Sequence, residues 1–155
     1  MVDNNTDSAW HLAQINVAEA RDDLNSPLLA DFVAEIESIN ALAERSAGFV
    51  TRVDIPMEDT RVHALFGSPR TVVNLSVWDG IESLKAFVYD SRHREVMRRR
   101  SQWFQRPRQP HLALWWIRAG DVPTLEEAQA RLQRVQDHGS SPAAFMFSNP
   151  EPAPS

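Results

Sequence analysis

Two asparagines, two histidines, an arginine and three tryptophans carry the chemistry that this chain could do. Asn74 stands alone in an apolar run, VVNLSVW (72–78), which closes at Trp78 four residues later. His93, Arg100 and Trp103 follow at i, i+7 and i+10 in a helical stretch, sharing one face with Val96/Met97 and Phe104. Asn16 ends an earlier apolar run, while His111 and Trp115 belong to a later one. A histidine and an arginine above an aromatic pocket can polarise a phenol or carbonyl, or bind a carboxylate. The same residues also suit a plainer role, with the tryptophans as core and the Asn and His side chains bonded to loop backbone.

The elements that must position these groups read as follows. WHLAQINVA (10–18) is a strand pattern with Gln14 and Asn16 on one parity. Ser26 and Pro27 open a helix whose apolar stripe is Leu28, Leu29, Phe32, Val33, Ile36, Ile39 and Ala43, with Gly48 as its stop. Residues 49–53 form a short strand, 54–69 a long connection with about one helical turn, and 70–78 a third strand. Asp79 and Glu82 match a capping box for the next helix, which is expected to break near Asp90-Ser91, with Ser91 capping a segment to about Gln105. HLALWWIR (111–118) is the fourth strand, and Thr124 with Glu127 caps a last helix stopped by Gly139.

The order β-α-β-β-α-β plus a C-terminal helix predicts an α+β, ferredoxin-like fold with helices on one face of a four-stranded antiparallel sheet. One domain is expected over 9–147, with 1–8 and 148–155 as disordered tails. A strand order 4-1-3-2, with strands one and three taken as parallel, puts Asn16, Trp78 and His111 at the same end of the sheet. A pocket of Asn16, Asn74, Trp78, His93, Trp103, His111 and Trp115 follows from that placement. Tryptophans of mixed parity leave no properly polar sheet face, so a second copy of the chain is expected to cover the bare side, giving a homodimer.

Bulk properties narrow the function classes. The 155 residues carry a net charge of −5 and no cysteine, which excludes disulfides and thiolate metal sites. Seven arginines and one glutamate fall in 92–108, a surplus of six that leaves the rest at −11. The acidic whole and the lack of a nucleic-acid module make nucleic acid an unlikely partner. His11 and His111 are expected at opposite ends of the sheet, and Tyr89 and Met97 flank His93 at i±4, so no metal set is expected. The polar, acidic N-terminus is unlike a signal peptide and no apolar run could span a bilayer; a cytoplasmic protein without membrane contact is expected.

A family resemblance adds to this reading. HLAQIN (11–16), GFV (48–50), VVNLSVW, AFVYDSRH (86–93), the arginine run into Trp103-Phe104, and HLALWWI followed by AGDVPT (119–124) resemble a bacterial domain of unknown function, family 3291. The resemblance runs from about Trp10 to Phe147 and implies the dimeric α+β barrel superfamily. That superfamily includes cofactor-independent quinol and anthrone monooxygenases and haem-degrading enzymes. Some of its monooxygenases carry an Asn and a Trp four apart on the third strand, the relation of Asn74 to Trp78. The resemblance carries over only that Asn74–Trp78 pair and opens a range of functions, among them a cofactor-independent enzyme acting on a small aromatic or quinol-type molecule. In such an enzyme the expected pocket would supply His93 or His111 as base, Asn74 with Trp78 as oxyanion donors, and Asn16, Arg100, Trp103 and Trp115 as further binding residues. Haem held by His93 is the cofactor alternative, and a non-catalytic ligand-binding or interaction homodimer is the alternative function.

Overall fold

The computed structural model describes residues 9–57 and 59–155. Four strands form one sheet: β1 (Trp10–Glu19), β2 (Phe49–Arg52), β3 (Thr71–Trp78) and β4 (Leu112–Arg118), in the order β2-β3-β1-β4. Six helices accompany them: α1 (Ala30–Glu44), α2 (Thr60–Phe66), α3 (Ile81–Val88), α4 (Ser91–Arg98), α5 (Arg100–Trp103) and α6 (Leu125–His138). This is the ferredoxin-like arrangement expected from the element order.

Every neighbouring pair of strands is antiparallel, β1 with β3 included. The sequence expectation of parallel β1 and β3 therefore fails. The crossover through α1 leaves β2 running with β1, and the return into β3 reverses the chain. Leu12 is consequently level with Trp78, and Asn16 is level with both Asn74 and Leu112. Trp78 stands at the opposite end of the sheet from Asn16 and His111.

Strand alternation sorts the side chains onto two faces. Ala13, Ile15, Leu75, Val77, Ala113, Trp115 and Ile117 form one buried cluster with Ala128, Leu132 and Val135 of α6. Phe66 of α2 packs against the same cluster. The three- and four-residue spacing in α6 gives it an apolar stripe that fits this face. The face expected to need a second copy is covered by the chain's own α2 and α6.

The opposite face lies under α1 and the α3–α5 arm, and its core is split. Near one end Leu12, Trp78, Leu84 and Leu114 are buried with Ala43 of α1, with Phe87 packed alongside. Near the other, Ala20, Leu29, Trp103 and Phe104 are buried, with Phe32 of α1 and Val96 of α4 packed alongside.

Local signals behaved unequally. Thr124 accepts from the Glu127 N–H at 3.0 Å, and the α6 C-terminus closes at Gly139 (φ +73). By contrast Ser26 makes no cap bond and leads into a 3-10 turn at Pro27–Leu29. The Asp79/Glu82 capping box does not form either; Asp79 accepts from the Ser83 hydroxyl instead. The break at Asp90-Ser91 is present, with Asp90 capping α4 by accepting from the Arg92 N–H at 2.9 Å. The 54–69 connection holds the two-turn α2 rather than a single turn. Asp59 caps it and Gly67 (φ +82) ends it. Gly48 (φ +84) lies so close to the β3–α3 turn that a Cβ would collide with Ser83 and Asp79.

Residues 1–8, expected to be a disordered leader, lie outside the described residues. The segment 148–155, expected as a second disordered tail, has no helix or strand but is tied down: Trp116 Nε1 donates to the Glu151 carbonyl at 2.9 Å. Just before it, Phe145 exchanges two backbone hydrogen bonds of 2.8 Å with Leu114, extending the sheet beyond β4.

Candidate functional site

Between the two clusters of the split face, the sheet presents polar side chains in place of core. Gln14 and Asn16 of β1 lie beside Asn74 and Ser76 of β3, all on one face by alternation and register. Gln14 is 3% exposed and organises the group. Its Nε2 donates to Asn74 Oδ1 at 2.6 Å and to Ser76 Oγ at 2.8 Å, while its Oε1 accepts from Asn16 Nδ2 at 3.1 Å. Those bonds fix the amide orientations. Asn74 Nδ2 and Asn16 Oδ1 are left without partners among the described residues, a donor and an acceptor on directly paired positions of the sheet.

The roof over this patch is formed by α1 and α4. Phe32 and Ala43 of α1 pack in the two flanking clusters, so Ile36 and Ile39, on the same stripe between them, lie above the polar patch. Both isoleucines, Asn16 and Asn74 are only half-buried, and neither isoleucine joins a buried cluster. Half-buried amides thus lie in mid-sheet between two aromatic clusters, on the face that α1 and the α3–α5 arm cover. The α1–α4 seam is held by Arg99 to Asp31 at 2.9 Å and Arg92 to Ser38 at 3.2 Å, exposed contacts of the weak kind.

His93 sits between Phe87 and Val96 along the arm, with its ring 4.8 Å from the Phe87 ring. Its Nδ1 lies 3.1 Å from the Val88 carbonyl. A carbonyl can only accept, so the proton is on Nδ1 and Nε2 keeps its lone pair. Burial pushes the His93 pKa down, opposed by the Val88 hydrogen bond and the Asp90 charge. The ring is a neutral base near pH 7.

His111 directly follows the loop that leads to β4, and its carbonyl accepts from the Val17 N–H at 2.9 Å, one residue beyond the Asn16 level. Its pKa is lowered by burial first and by the Arg100 charge second. Arg100 stands over the Phe104 ring at 5.8 Å, and burial lowers its own pKa.

The expected set is thus brought together only in part. Asn16 and Asn74 are paired on the cleft floor. Trp78 is 1% exposed, stacks on Phe87 at 5.3 Å, and spends its indole N–H on Ser76 Oγ at 2.9 Å. It backs one end of the cleft and has no N–H to offer a ligand. Trp103 backs the other end, buried against Phe32 at 5.5 Å. Trp115 lies on the opposite face, under α6, and His111 lines a groove on that side with Val17, Phe66 and Leu132, so neither takes part in this cleft. Sequence reasoning passed over Ser76 and gave Gln14 no role in the site. The signal was present, since both share the parity of Asn16 and Asn74.

No group of three or more His, Cys, Asp or Glu side chains that could hold a metal occurs among the described residues. A haem needs an axial histidine opening onto a flat cavity. His93 packs on the Phe87 ring with its Nδ1 on the Val88 carbonyl, and surface grooves of about 480, 370 and 320 Å³ are lined by none of His93, Asn16 and Asn74, the second of them taking in His111. The residues present do not fit a haem. No helix among the described residues is long and apolar enough to cross a membrane.

A conserved protein from Methanosarcina mazei Go1 superposes with a TM-score of 0.51 at 12% identity, over 72% of this chain and 94% of that one. SnoaB, a cofactor-independent oxygenase from Streptomyces nogalater, gives 0.48 at 14% identity, over 74% and 96%. A protein of unknown function from Nitrosomonas europaea gives 0.47 at 17%, over 75% and 97%. At these identities the likeness is one of fold alone. No curated protein matches the chain in sequence. The model of the domain of unknown function DUF3291 matches residues 11–155, nearly the whole length. The chain belongs to the DUF3291 family.

Proposed function

We propose that the cleft between the sheet and α1/α4 binds a small aromatic molecule and oxygenates a phenol or quinol-type substrate without a cofactor. The observation that carries this reading is the half-buried amide pair. Asn74 Nδ2 and Asn16 Oδ1 are oriented by a buried glutamine, left unpartnered, and enclosed by aromatic ends. Together they match a carbonyl or phenolate oxygen beside a hydroxyl. In the reaction, His93 Nε2 takes a proton from an activated ring CH₂ or hydroxyl, and the charge develops on an oxygen facing Asn74. The substrate carbanion passes electrons to O₂ and forms a C–O bond. The hydroperoxide then loses water, so that R₂CH₂ + O₂ gives R₂C=O + H₂O, the substrate being the only reductant. Trp78 and Trp103 keep the cleft dry at its two ends. His111 opens instead onto the groove beside Val17, Phe66 and Leu132 on the other face, so it is not a second base.

The test is oxygen uptake by metal-free protein with anthrone and a naphthohydroquinone. Turnover above buffer is expected, falling about 10²- to 10⁴-fold in His93→Ala. Binding without oxygen uptake would leave the second reading, a non-catalytic ligand-binding homodimer. That reading draws on the internal satisfaction of Gln14, which a structural network also requires.

The family resemblance also supports a homodimer. Light scattering should then give twice the 17.6 kDa chain mass. A single-chain mass would remove the dimer from the reading, because α2 and α6 already cover the remaining sheet face.

A further inference from the structure

The arginine run is mostly accounted for where it touches the fold. Arg99 pairs with Asp31 and lies over the Trp103 ring at 4.8 Å, and Arg92 reaches Ser38. Arg100 is different. Its Nη2 is enclosed, with no hydrogen-bond partner, and no acidic side chain pairs with it among the described residues. A half-buried, uncompensated cation is costly to hold, and a folded chain does so where a partner arrives from outside.

Register places that partner. Ala18 and Val72, packed against the Trp103–Phe104 cluster, share by alternation the face of Asn16 and Asn74, two residues away on β1 and β3. Phe104, beneath the guanidinium, belongs to the same cluster as Trp103 at that end of the cleft. We infer that Arg100 is an anion seat at this end of the cleft, and that the ligand is an aromatic acid whose carboxylate docks there while its ring lies over the asparagines. The planar guanidinium fork suits a carboxylate, giving two parallel N–H···O bonds. This inference rests on the cleft being the ligand site, and it specifies the substrate class beyond a neutral phenol.

The experiment compares 1-naphthoate with 1-naphthamide, the same ring without the charge, by calorimetry and thermal shift on wild type, Arg100→Gln and Arg100→Lys, with sulfate at matched ionic strength as the bare-ion control. Wild type should bind naphthoate more tightly than naphthamide. Arg100→Gln should weaken naphthoate about ten- to a hundredfold and leave naphthamide unchanged. Unliganded Arg100→Gln should melt no lower than wild type, since it loses only an uncompensated charge. Arg100→Lys, which keeps charge without the fork, should fall between the two. Equal wild-type binding of the two compounds, sulfate protecting as well as naphthoate, or full naphthoate affinity in Arg100→Gln would each overturn the seat while leaving the cleft. Failure of both aromatic compounds to bind wild type would overturn the cleft and the seat together.

Discussion

The two faces of this sheet are built from the same three strands and end in opposite outcomes. On the α6 side, alanine, isoleucine, leucine, valine and tryptophan meet a helix stripe and are sealed, Ala13, Ile15, Leu75, Val77, Ala113 and Trp115 all fully buried. On the α1 side the same alternation yields Gln14, Asn16, Asn74 and Ser76 in mid-sheet, and the helix above them buries only Ala43 completely. A packed face gains from removing apolar area from water. A face with amides in its middle gives up that gain and must satisfy each group. Here one buried glutamine satisfies the group from inside and leaves two amide atoms without partners among the described residues.

The comparison predicts that the sealed face is the more costly to damage. Trp115→Ala should lose about 3–5 kcal/mol of stability in chemical denaturation, without a ligand-dependent component. A loss confined to ligand binding would mean that this face, too, is functional. Next in size is Gln14→Leu, which strands Asn74 Oδ1 and Asn16 Nδ2. It should cost about 1–3 kcal/mol and abolish aromatic binding as well, because the asparagines lose their fixed orientation. Asn74→Ala should separate the two effects: stability falls by less than about 1 kcal/mol, while binding weakens by about 1–3 kcal/mol. If its thermal shifts with naphthoate and phenols equal those of wild type, Asn74 has no part in the site.

The smallest effect is on pH dependence. His93 and His111 both have pKa values depressed in the folded state, so the unfolded chain binds protons first as pH falls. Their contribution is fully present above the ordinary histidine range, about 6.5, and is lost as pH drops through it toward the lower folded values. The melting temperature should decline between pH 7 and 5, and His93→Gln should flatten part of that decline. An unchanged slope would mean that the buried imidazole is not what the folded state holds neutral.

The outline of the fold was legible because its signals are local. Alternation in 10–18, 70–78 and 111–118 gave the strands, Thr124 and Gly139 bracketed α6, and the apolar spacing in α1 and α6 gave their inner stripes. The direction of β3 was also available, since a hairpin-like return after a crossover must reverse the chain, and misjudging it misplaced Trp78. Caps were less legible. Ser26 and Asp79 have suitable side chains, yet Ser26 Oγ goes unbonded and Asp79 accepts from the hydroxyl of Ser83, four residues on, in place of a backbone N–H. The cleft depended on register: once Asn16 is level with Asn74, Gln14 must lie beside Ser76, and neither residue is conspicuous alone. That Trp115 falls on the far face follows from parity, since it shares the parity of Ala113 and Ile117.

One feature at the margin of the sheet bears on handling the protein. β4 would be an open edge, offering unpaired N–H and C=O groups to any passing strand, and such edges seed aggregation. The bonds between Leu114 and Phe145, and that of Trp116 to Glu151, occupy that edge with the chain's own C-terminal segment. A version ending at Ser140 would keep all six helices and all four strands but lose this selvedge. It would also lose Ala144 and Phe145, both fully buried, so it should be less stable as well as prone to precipitate on standing, and its turbidity over days against that of the full chain would measure how much solubility rests on this segment.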